Sequence, residues 1–203
     1  MKAIMNWWNS FAEKHPSISK WVREGGLFLI FGNAVTVLKW LLLMFLPALF
    51  EGWIGQVEWL WPNIPVTILG VELNLSIIGN ALLTDANGVV TGGLAFTLAN
   101  LTAIVIGECI NFPLQRNITF KSHGPVVPQA VMHGIATIVV FLVMNLFTCI
   151  WNPVTNALIA NEALRNTLQS IVTTVVTGGV AIVIIFFVDK IIFAPGWGEK
   201  KKA

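Results

Sequence analysis

The residues of this chain with the clearest capacity for chemistry are ionisable and amide side chains inside long apolar segments. Asn100, Glu108 and Asn111 interrupt the segment 91–122, and Lys39 stands about halfway along an earlier apolar run. A charge or an amide within a bilayer is costly unless it faces protein, water or a polar ligand. These residues therefore predict a membrane protein that handles something polar at membrane depth.

Lys39 has two interpretations, because its ammonium is too far from either end of its segment to reach the bilayer surface easily. One is a contact with a polar substrate. The other is a structural ion pair with Glu108, the one acid that the pattern places clearly within a span. At about 1.5 Å per helical residue, Lys39 should lie about 22 Å and Glu108 about 6 Å from the cytoplasmic side. Two side chains would barely bridge that offset, so the functional contact is favoured.

The composition is typical of a protein with several membrane spans, since 56% of its residues are hydrophobic and only 11% are charged. Four segments are long enough to cross about 30 Å of hydrocarbon. We place them at residues 26–50, 93–112, 130–151 and 168–193. The predicted fold class is an all-α integral membrane protein with a bundle of four transmembrane helices.

The basic residues predict the orientation, because ten of the twelve lysines and arginines fall into three clusters, at Lys2, Lys14, Lys20 and Arg23, at Arg116 and Lys121, and at Lys190, Lys200, Lys201 and Lys202. Basic residues concentrate in cytoplasmic segments. Both termini and the loop 113–129 are therefore expected in the cytoplasm, with the chain in the cytoplasmic (inner) membrane. The net charge of only +2 gives no indication of nucleic-acid binding.

Three regions are expected to surround or connect the spans. Residues 1–22 form a cytoplasmic amphipathic segment, in which Pro16 argues against one unbroken helix. Residues 23–193 form the transmembrane domain, and residues 194–203 a basic cytoplasmic tail. The outer loop 51–91 is too long for a simple connection.

Within that outer loop, partial alternation of apolar residues and a turn at Gly70 predict a short hairpin or an irregular cap, with a re-entrant segment as the less favoured alternative. Asn87 and Gly88 form a further turn signal. The second outer loop, 152–167, is expected to be short and partly helical.

Polar residues gather on one side of each predicted helix. In the second span Thr97, Asn100, Glu108 and Asn111 share an arc of about 80°. The threonines are expected mostly to bond to their own helix backbone, and His133 is more simply an interfacial histidine than a ligand contact. A stripe of small residues, Ala95, Ala99, Ala103 and Gly107, favours close packing within the bundle over use in a homo-oligomer.

The stretch NFPLQRNITF, residues 111–120, resembles the second-helix signature of the GtrA-like family of small four-helix membrane proteins. In that signature Asn-Phe is followed by an arginine and an aromatic residue ahead of a basic loop. Here these positions are Asn111, Phe112, Arg116, Phe120 and Lys121. The start of the first span, REGGLFLIFGNAVTVL, resembles the opening of the same family. The resemblance covers roughly residues 20–50 and 90–193, and Pro113 and the long outer loop depart from the pattern.

The resemblance implies a flippase for a polyprenyl-phosphate-linked sugar, used in the synthesis of surface polysaccharide or in cell-wall glycosylation. The expected substrate contacts are Arg23, Arg116 and Lys121 at the cytoplasmic entrance, Lys39 in mid-membrane, and Asn100, Glu108 and Asn111 on sugar hydroxyls. The partners would be the sugar lipid, membrane lipids and a glycosyltransferase.

Two rival functions remain. One is a scaffold that recruits a glycosyltransferase without transport. The other is a small antiporter in which Glu108 exchanges protons for a cation. An enzyme is not expected, because serine is sparse in the spans and no metal-ligand cluster or phosphate-binding glycine motif is present, so we predict no cofactor and no metal.

Overall fold

The computed structural model describes residues 2–84 and 90–198, and within these ranges four helical segments are long and apolar enough to cross a membrane. They extend over Pro16–Ile54, Gly93–Thr119, Val126–Leu158 and Ala163–Ile192. The prediction of four spans is confirmed by their length and composition. All four segments extend beyond the predicted spans at one end or both.

The first span is interrupted, whereas the sequence predicted one continuous helix over 26–50. Helix α1, Lys2–Lys14, is followed at once by α2, Pro16–Leu43, so Pro16 does separate two helices. A second break at Met44 and Phe45 precedes α3, Leu46–Ile54. Pro47 in the first turn of α3 explains this break, because proline has no N–H to donate to the carbonyl four residues earlier.

The second span continues through the signature stretch and turns only after it. Helix α4, Gly93–Leu114, contains Pro113 and passes into a π-helical turn, Gln115–Thr119. The chain reverses at Lys121, whose φ of 50° is left-handed. The Ser122 N–H donates to the Arg116 carbonyl at 2.8 Å, closing the helix end.

The last two spans are connected more tightly than predicted. Helix α5, Val126–Leu158, includes Pro153, and α6, Glu162–Thr173, begins after residues 159–161. Most of the predicted loop 152–167 is therefore helix. A π-helical stretch, Thr174–Val180, joins α6 to α7, Ala181–Ile192.

The segment between the first two spans forms a β-hairpin, as predicted. Strands β1, Trp59–Ile68, and β2, Val71–Asn80, pair antiparallel across a turn at Leu69 and Gly70, whose φ angles of 52° and 80° are both left-handed. A shorter pair joins β3, Leu82–Thr84, to β4, Val90–Gly92. Asn87 and Gly88 lie outside the described residues.

The hairpin is attached to α5 through Cys149. Its thiol accepts a hydrogen bond from the Ser76 N–H at 3.2 Å and lies 3.0 Å from the Asn74 carbonyl, to which it donates. Leu73 and Ser76 are buried on the same strand. The hairpin is therefore packed against the bundle.

The small-residue stripe of α4 packs within the chain, as favoured from the sequence. Ala99 and Ala103 have no exposed surface and contact Leu46, with Leu42 and Phe50 around them. Small side chains let α4 approach the broken first span closely. At the end of the bundle that lies away from the hairpin, Phe28 packs near Phe120, with 6.4 Å between their ring centroids.

That end, which we call the loop end, gathers the start of α2, the turn after α4, the start of α5 and the end of α7. Lys190 pairs with Glu24 at 2.8 Å, and the Gln129 amide donates to the Ile192 carbonyl at 2.9 Å. These two contacts join α2 and α5 to α7 at the loop end.

Candidate functional site

Four ionisable side chains meet inside the bundle, and we call them the charge cluster: Lys39, Glu108, His133 and Asp189. The Lys39 ammonium lies 2.6 Å from Glu108 Oε1. The second Glu108 oxygen lies 3.1 Å from His133 Nε2, and His133 Nδ1 lies 2.7 Å from Asp189 Oδ1. Each of the four spans thus contributes one residue to a continuous chain of contacts.

The ion pair between Lys39 and Glu108 shows that the predicted separation of their depths was wrong. The Gln115 amide reaches the Phe28 carbonyl at 3.4 Å, which sets these two residues level with each other. Counted from that level at 1.5 Å per residue, Lys39 and Glu108 differ in depth by only about 6 Å. A lysine side chain spans such an offset. The prediction failed because it ended the second helix at Phe112, whereas the helix continues to Thr119.

Gly107 makes room for this pair. A Cβ atom at Gly107 would overlap the Lys39 side chain, which lies directly across the backbone of α4. The fourth residue of the small-residue stripe therefore serves the ion pair as well as helix packing.

His133 lies between two carboxylates, and this arrangement requires one additional bound proton, on His133 or on a carboxyl group. Its side chain is 2% exposed, and that of Asp189 is fully buried. Neutral imidazole has one N–H donor, so it can donate to only one of two carboxylates. Either His133 carries both protons or one carboxyl group is protonated. With a protonated His133, two cations face two carboxylates and the cluster is neutral, which lowers the cost of burying it.

Two amide side chains, those of Asn111 and Gln115, extend the charge cluster toward the loop end. The Asn111 amide donates to Glu108 Oε2 at 3.0 Å, and the Gln115 amide donates to Asn111 Oδ1 at 3.1 Å. Among the described residues, Gln115 Oε1 and Asp189 Oδ2 are buried without a hydrogen-bond partner. Such groups are costly in a protein interior. The interior of the bundle therefore retains unused capacity for polar contacts.

Arg116 fixes the loop end. Its Nε donates to Gln129 Oε1 at 2.9 Å, Nη1 to Asn117 Oδ1 at 2.7 Å and Nη2 to the Gly124 carbonyl at 2.7 Å. Gln129 is fully buried and also donates to Ser122 Oγ at 2.8 Å. All of these partners are neutral, so the Arg116 charge is not cancelled by them.

The other predicted substrate contacts lie apart from the charge cluster. Asn100 is two turns of α4 away from Glu108 and makes no side-chain hydrogen bond within the described ranges. Arg23 and Lys121 are exposed at the loop end. The threonines behave as expected, because Thr36, Thr97 and Thr177 each donate to a carbonyl one turn earlier in their own helix.

Sequence reasoning missed Asp189, Gln115 and Gln129, three of the most deeply buried polar side chains. Asp189 was overlooked because Lys190 follows it near the predicted end of the last span, where charged residues are ordinary. Its position in the sequence could have indicated burial, because Asp189 and Lys190 stand between the apolar runs IIFFV and IIF. His133, expected to be a simple interfacial histidine, is the central link of the cluster. Among the residues that the structure describes, no group of His, Cys, Asp and Glu side chains could hold a metal ion.

No family model, curated protein or solved structure matches this chain. Membership of the GtrA-like family therefore stays a prediction from the sequence signature.

Proposed function

We propose that the protein moves a polyprenyl-phosphate-linked sugar across the cytoplasmic membrane, with the charge cluster as the intramembrane contact for the phosphate. The observation that carries this proposal is the pairing of Lys39 with a carboxylate that has other partners. Charged residues inside a membrane bundle commonly mark a substrate or ion pathway. The resemblance of residues 111–121 to the GtrA-like signature supports the choice of substrate.

The partners of Glu108 allow Lys39 to change contacts. Glu108 binds Lys39 through one oxygen and His133 and Asn111 through the other. When Lys39 turns to a phosphate, Glu108 retains two hydrogen-bond donors. The high cost of leaving a buried carboxylate without partners is therefore avoided. An anionic head group can replace Glu108 as the partner of Lys39 at a modest cost.

The remaining contacts would then act along the same route. The exposed Arg23 and Lys121 attract the phosphate at the loop end, which the positive-inside rule assigns to the cytoplasm. Arg116 contributes its uncancelled charge while holding the turn in place. Asn100, deeper along α4, offers an amide for sugar hydroxyls beyond the cluster.

Transport by the purified protein in proteoliposomes tests the proposal. The wild type should accelerate movement of a polyprenyl-phosphate sugar between leaflets, and Lys39→Met should reduce that rate at least tenfold because the phosphate loses its mid-membrane partner. Thr36→Val is the matched control, since Thr36 lies one turn away on the same helix, is exposed and bonds only its own backbone. A folded Lys39→Met protein with the full rate would exclude the central phosphate contact.

Proton-coupled cation exchange is the second candidate, and the position of His133 between two carboxylates favours it. Chains of acids and histidines inside membranes are typical of proton relays. This function predicts cation uptake driven by a pH gradient, lost in Glu108→Gln. If neither lipid nor cation moves and a glycosyltransferase co-purifies with the protein, the scaffold function is supported instead.

A further inference from the structure

A separate cleft of about 260 Å³ opens at the loop end of the bundle. Its walls come from the start of α2, the turn after α4 and the end of α7. Its charged and titratable lining residues are Lys20, Glu24, Lys121, His123 and Lys190, and we call it the lysine cleft. Three lysines face one carboxylate, so the cleft carries an excess of positive charge.

That excess is not removed by pairing within the cleft. Glu24, with a side chain 3% exposed, binds Lys190 at 2.8 Å. Lys20 lies 3.7 Å from the same carboxylate, but its side chain is 60% exposed, which makes the pair weak. Lys121 is exposed and has no carboxylate partner in the described part of the chain. Lys20 and Lys121 are therefore available to an anion, whereas Lys190 and Glu24 form a fixed wall.

The surroundings of the cleft place it at the depth of lipid head groups. The Lys190 ammonium lies 3.2 Å from the centroid of the Trp21 ring, and Trp21 is itself 44% exposed. Tryptophans at the ends of spans occupy the membrane–water interface. Phe120 and Phe193, whose ring centroids are 5.4 Å apart, line the cleft on its inner side.

The same aromatic pair separates the cleft from the charge cluster. Phe193 stacks on His133 with 6.3 Å between ring centroids. A head group in the cleft would thus lie next to the cluster without touching it. The volume is smaller than the roughly 300–1,000 Å³ of pockets that enclose a drug-sized ligand, so a head group fits while the lipid tail stays in the bilayer.

We propose that the lysine cleft binds the phosphate head group of an anionic lipid from the adjoining leaflet. Lys20 and Lys121 contact the phosphate as point charges, and the pair of Lys190 with Glu24 sets the width of the site. The inference rests on the proposed function only for the kind of lipid, a polyprenyl-phosphate-linked sugar that docks here before its head group reaches Lys39.

Equilibrium binding to the purified full-length protein tests the proposal, with farnesyl phosphate, farnesol and inorganic phosphate as probes. Lys121→Asn removes the charge and preserves the fold, because asparagine tolerates left-handed φ better than most residues. We expect Lys121→Asn and Lys20→Gln each to weaken binding of farnesyl phosphate at least fivefold. Lys14→Gln is the matched control, because Lys14 is also a lysine near the loop end but does not line the cleft, and it should change binding less than twofold.

Besides unchanged binding in Lys121→Asn and Lys20→Gln, three results would overturn the proposal. Equal losses in all three variants would mean that only the overall positive charge matters. Farnesol binding as tightly as farnesyl phosphate would assign recognition to the tail. Inorganic phosphate competing as strongly as farnesyl phosphate would make the ligand free phosphate rather than a lipid.

The same variants separate this inference from the proposed function. If farnesyl phosphate binding depends on Lys20 and Lys121 but no transport occurs in proteoliposomes, the lipid site in the cleft is supported and the flippase function is excluded. If Lys121→Asn and Lys20→Gln both transport normally and bind farnesyl phosphate as the wild type does, the lipid site in the cleft is excluded and the flippase function stands.

Discussion

At the scale of single residues, Glu108 is the group on which the charge cluster depends. It contacts Lys39, His133 and Asn111, whereas Lys39 contacts Glu108 alone among the described side chains. Removing Glu108 should therefore cost more than removing Lys39, because it leaves three donors in the membrane, on Lys39, His133 and Asn111, without their acceptor.

Glu108→Gln should lower the free energy of unfolding by about 3 kcal/mol, the lower end of the range for a broken buried ion pair, since its side chain is 19% exposed. Lys39→Met should cost about 1 kcal/mol or less, because methionine fills similar space and no longer inserts a charge. The double variant should recover most of the Glu108→Gln loss. Unfolding in detergent measures all three. Additive losses in the double variant would show that the two residues are not coupled.

Arg116 gives a second prediction at this scale. Lysine keeps the positive charge but cannot donate to Gln129, Asn117 and the Gly124 carbonyl together, so Arg116→Lys should destabilise the loop end by about 1–3 kcal/mol. Arg23→Lys is the control, because Arg23 is exposed and makes no side-chain bond within the described ranges. Hydrogen exchange of residues 115–129 would measure the difference. Equal exchange in the two variants would show that the charge alone matters.

At the scale of elements, the closeness of α2 and α4 depends on Gly107. Gly107→Ala places a methyl group on the Lys39 side chain and should separate the ion pair, lowering thermal stability by several degrees. Gly32→Ala is the matched control in α2, where a Cβ meets nothing within 4 Å, so it should be neutral or slightly stabilising because alanine favours helix. Thermal unfolding of both variants is the measurement. A Gly107→Ala protein as stable as the control would contradict the close approach.

In the hairpin, one substitution should raise stability, whereas Gly107→Ala should lower it. Leu69 is 76% exposed and adopts a φ of 52°, which is unfavourable for leucine. Leu69→Asn creates Asn-Gly, the preferred pair for a two-residue turn with both φ angles positive. The amides of β1 and β2 should exchange more slowly with solvent by a factor of about 3 to 5, corresponding to roughly 1 kcal/mol. Faster exchange would show that the turn is not formed as described.

At the scale of the whole molecule, the arrangement of the two ends predicts a topology. The loop end should face the cytoplasm and the hairpin the opposite side, because the basic residues concentrate at the loop end. In a protein without Cys109 and Cys149, His123→Cys should be labelled only after permeabilisation of cells, and Glu72→Cys without it. Both sites are exposed on the structure. The reverse pattern would invert the orientation and the direction of the proposed transport.

Elsewhere on the molecule, the surfaces of the third and fourth spans are left open. In the most apolar stretch of each of these two spans no residue is buried. In the most apolar stretch of the second span a third of the residues are buried. Apolar surface of this extent fits contact with lipid tails, which supports a small bundle with its polar groups turned inward.

The sequence by itself determined the four spans and the break at Pro16, and it gave the hairpin as one of its alternatives for the outer loop, because these depend on local patterns: runs of apolar residues, the missing N–H of proline and alternation. It also identified Lys39, Glu108 and Asn111 as unusual for their surroundings. It did not determine where α4 ends, since a π-helical turn after Pro113 leaves no distinct pattern, and the depth of Glu108 was misjudged for that reason.

Only the tertiary structure decided which polar residues meet. His133 and Asp189 are 56 residues apart in the chain, and no pattern within either segment indicates that the two side chains meet. Their contact with each other and with Glu108 depends on the relative rotation and depth of three helices, which are set by packing across the bundle. The lysine cleft has the same origin, since its walls come from three distant segments. Hydropathy and charge along the chain carry no information about such contacts, because each describes a helix by itself.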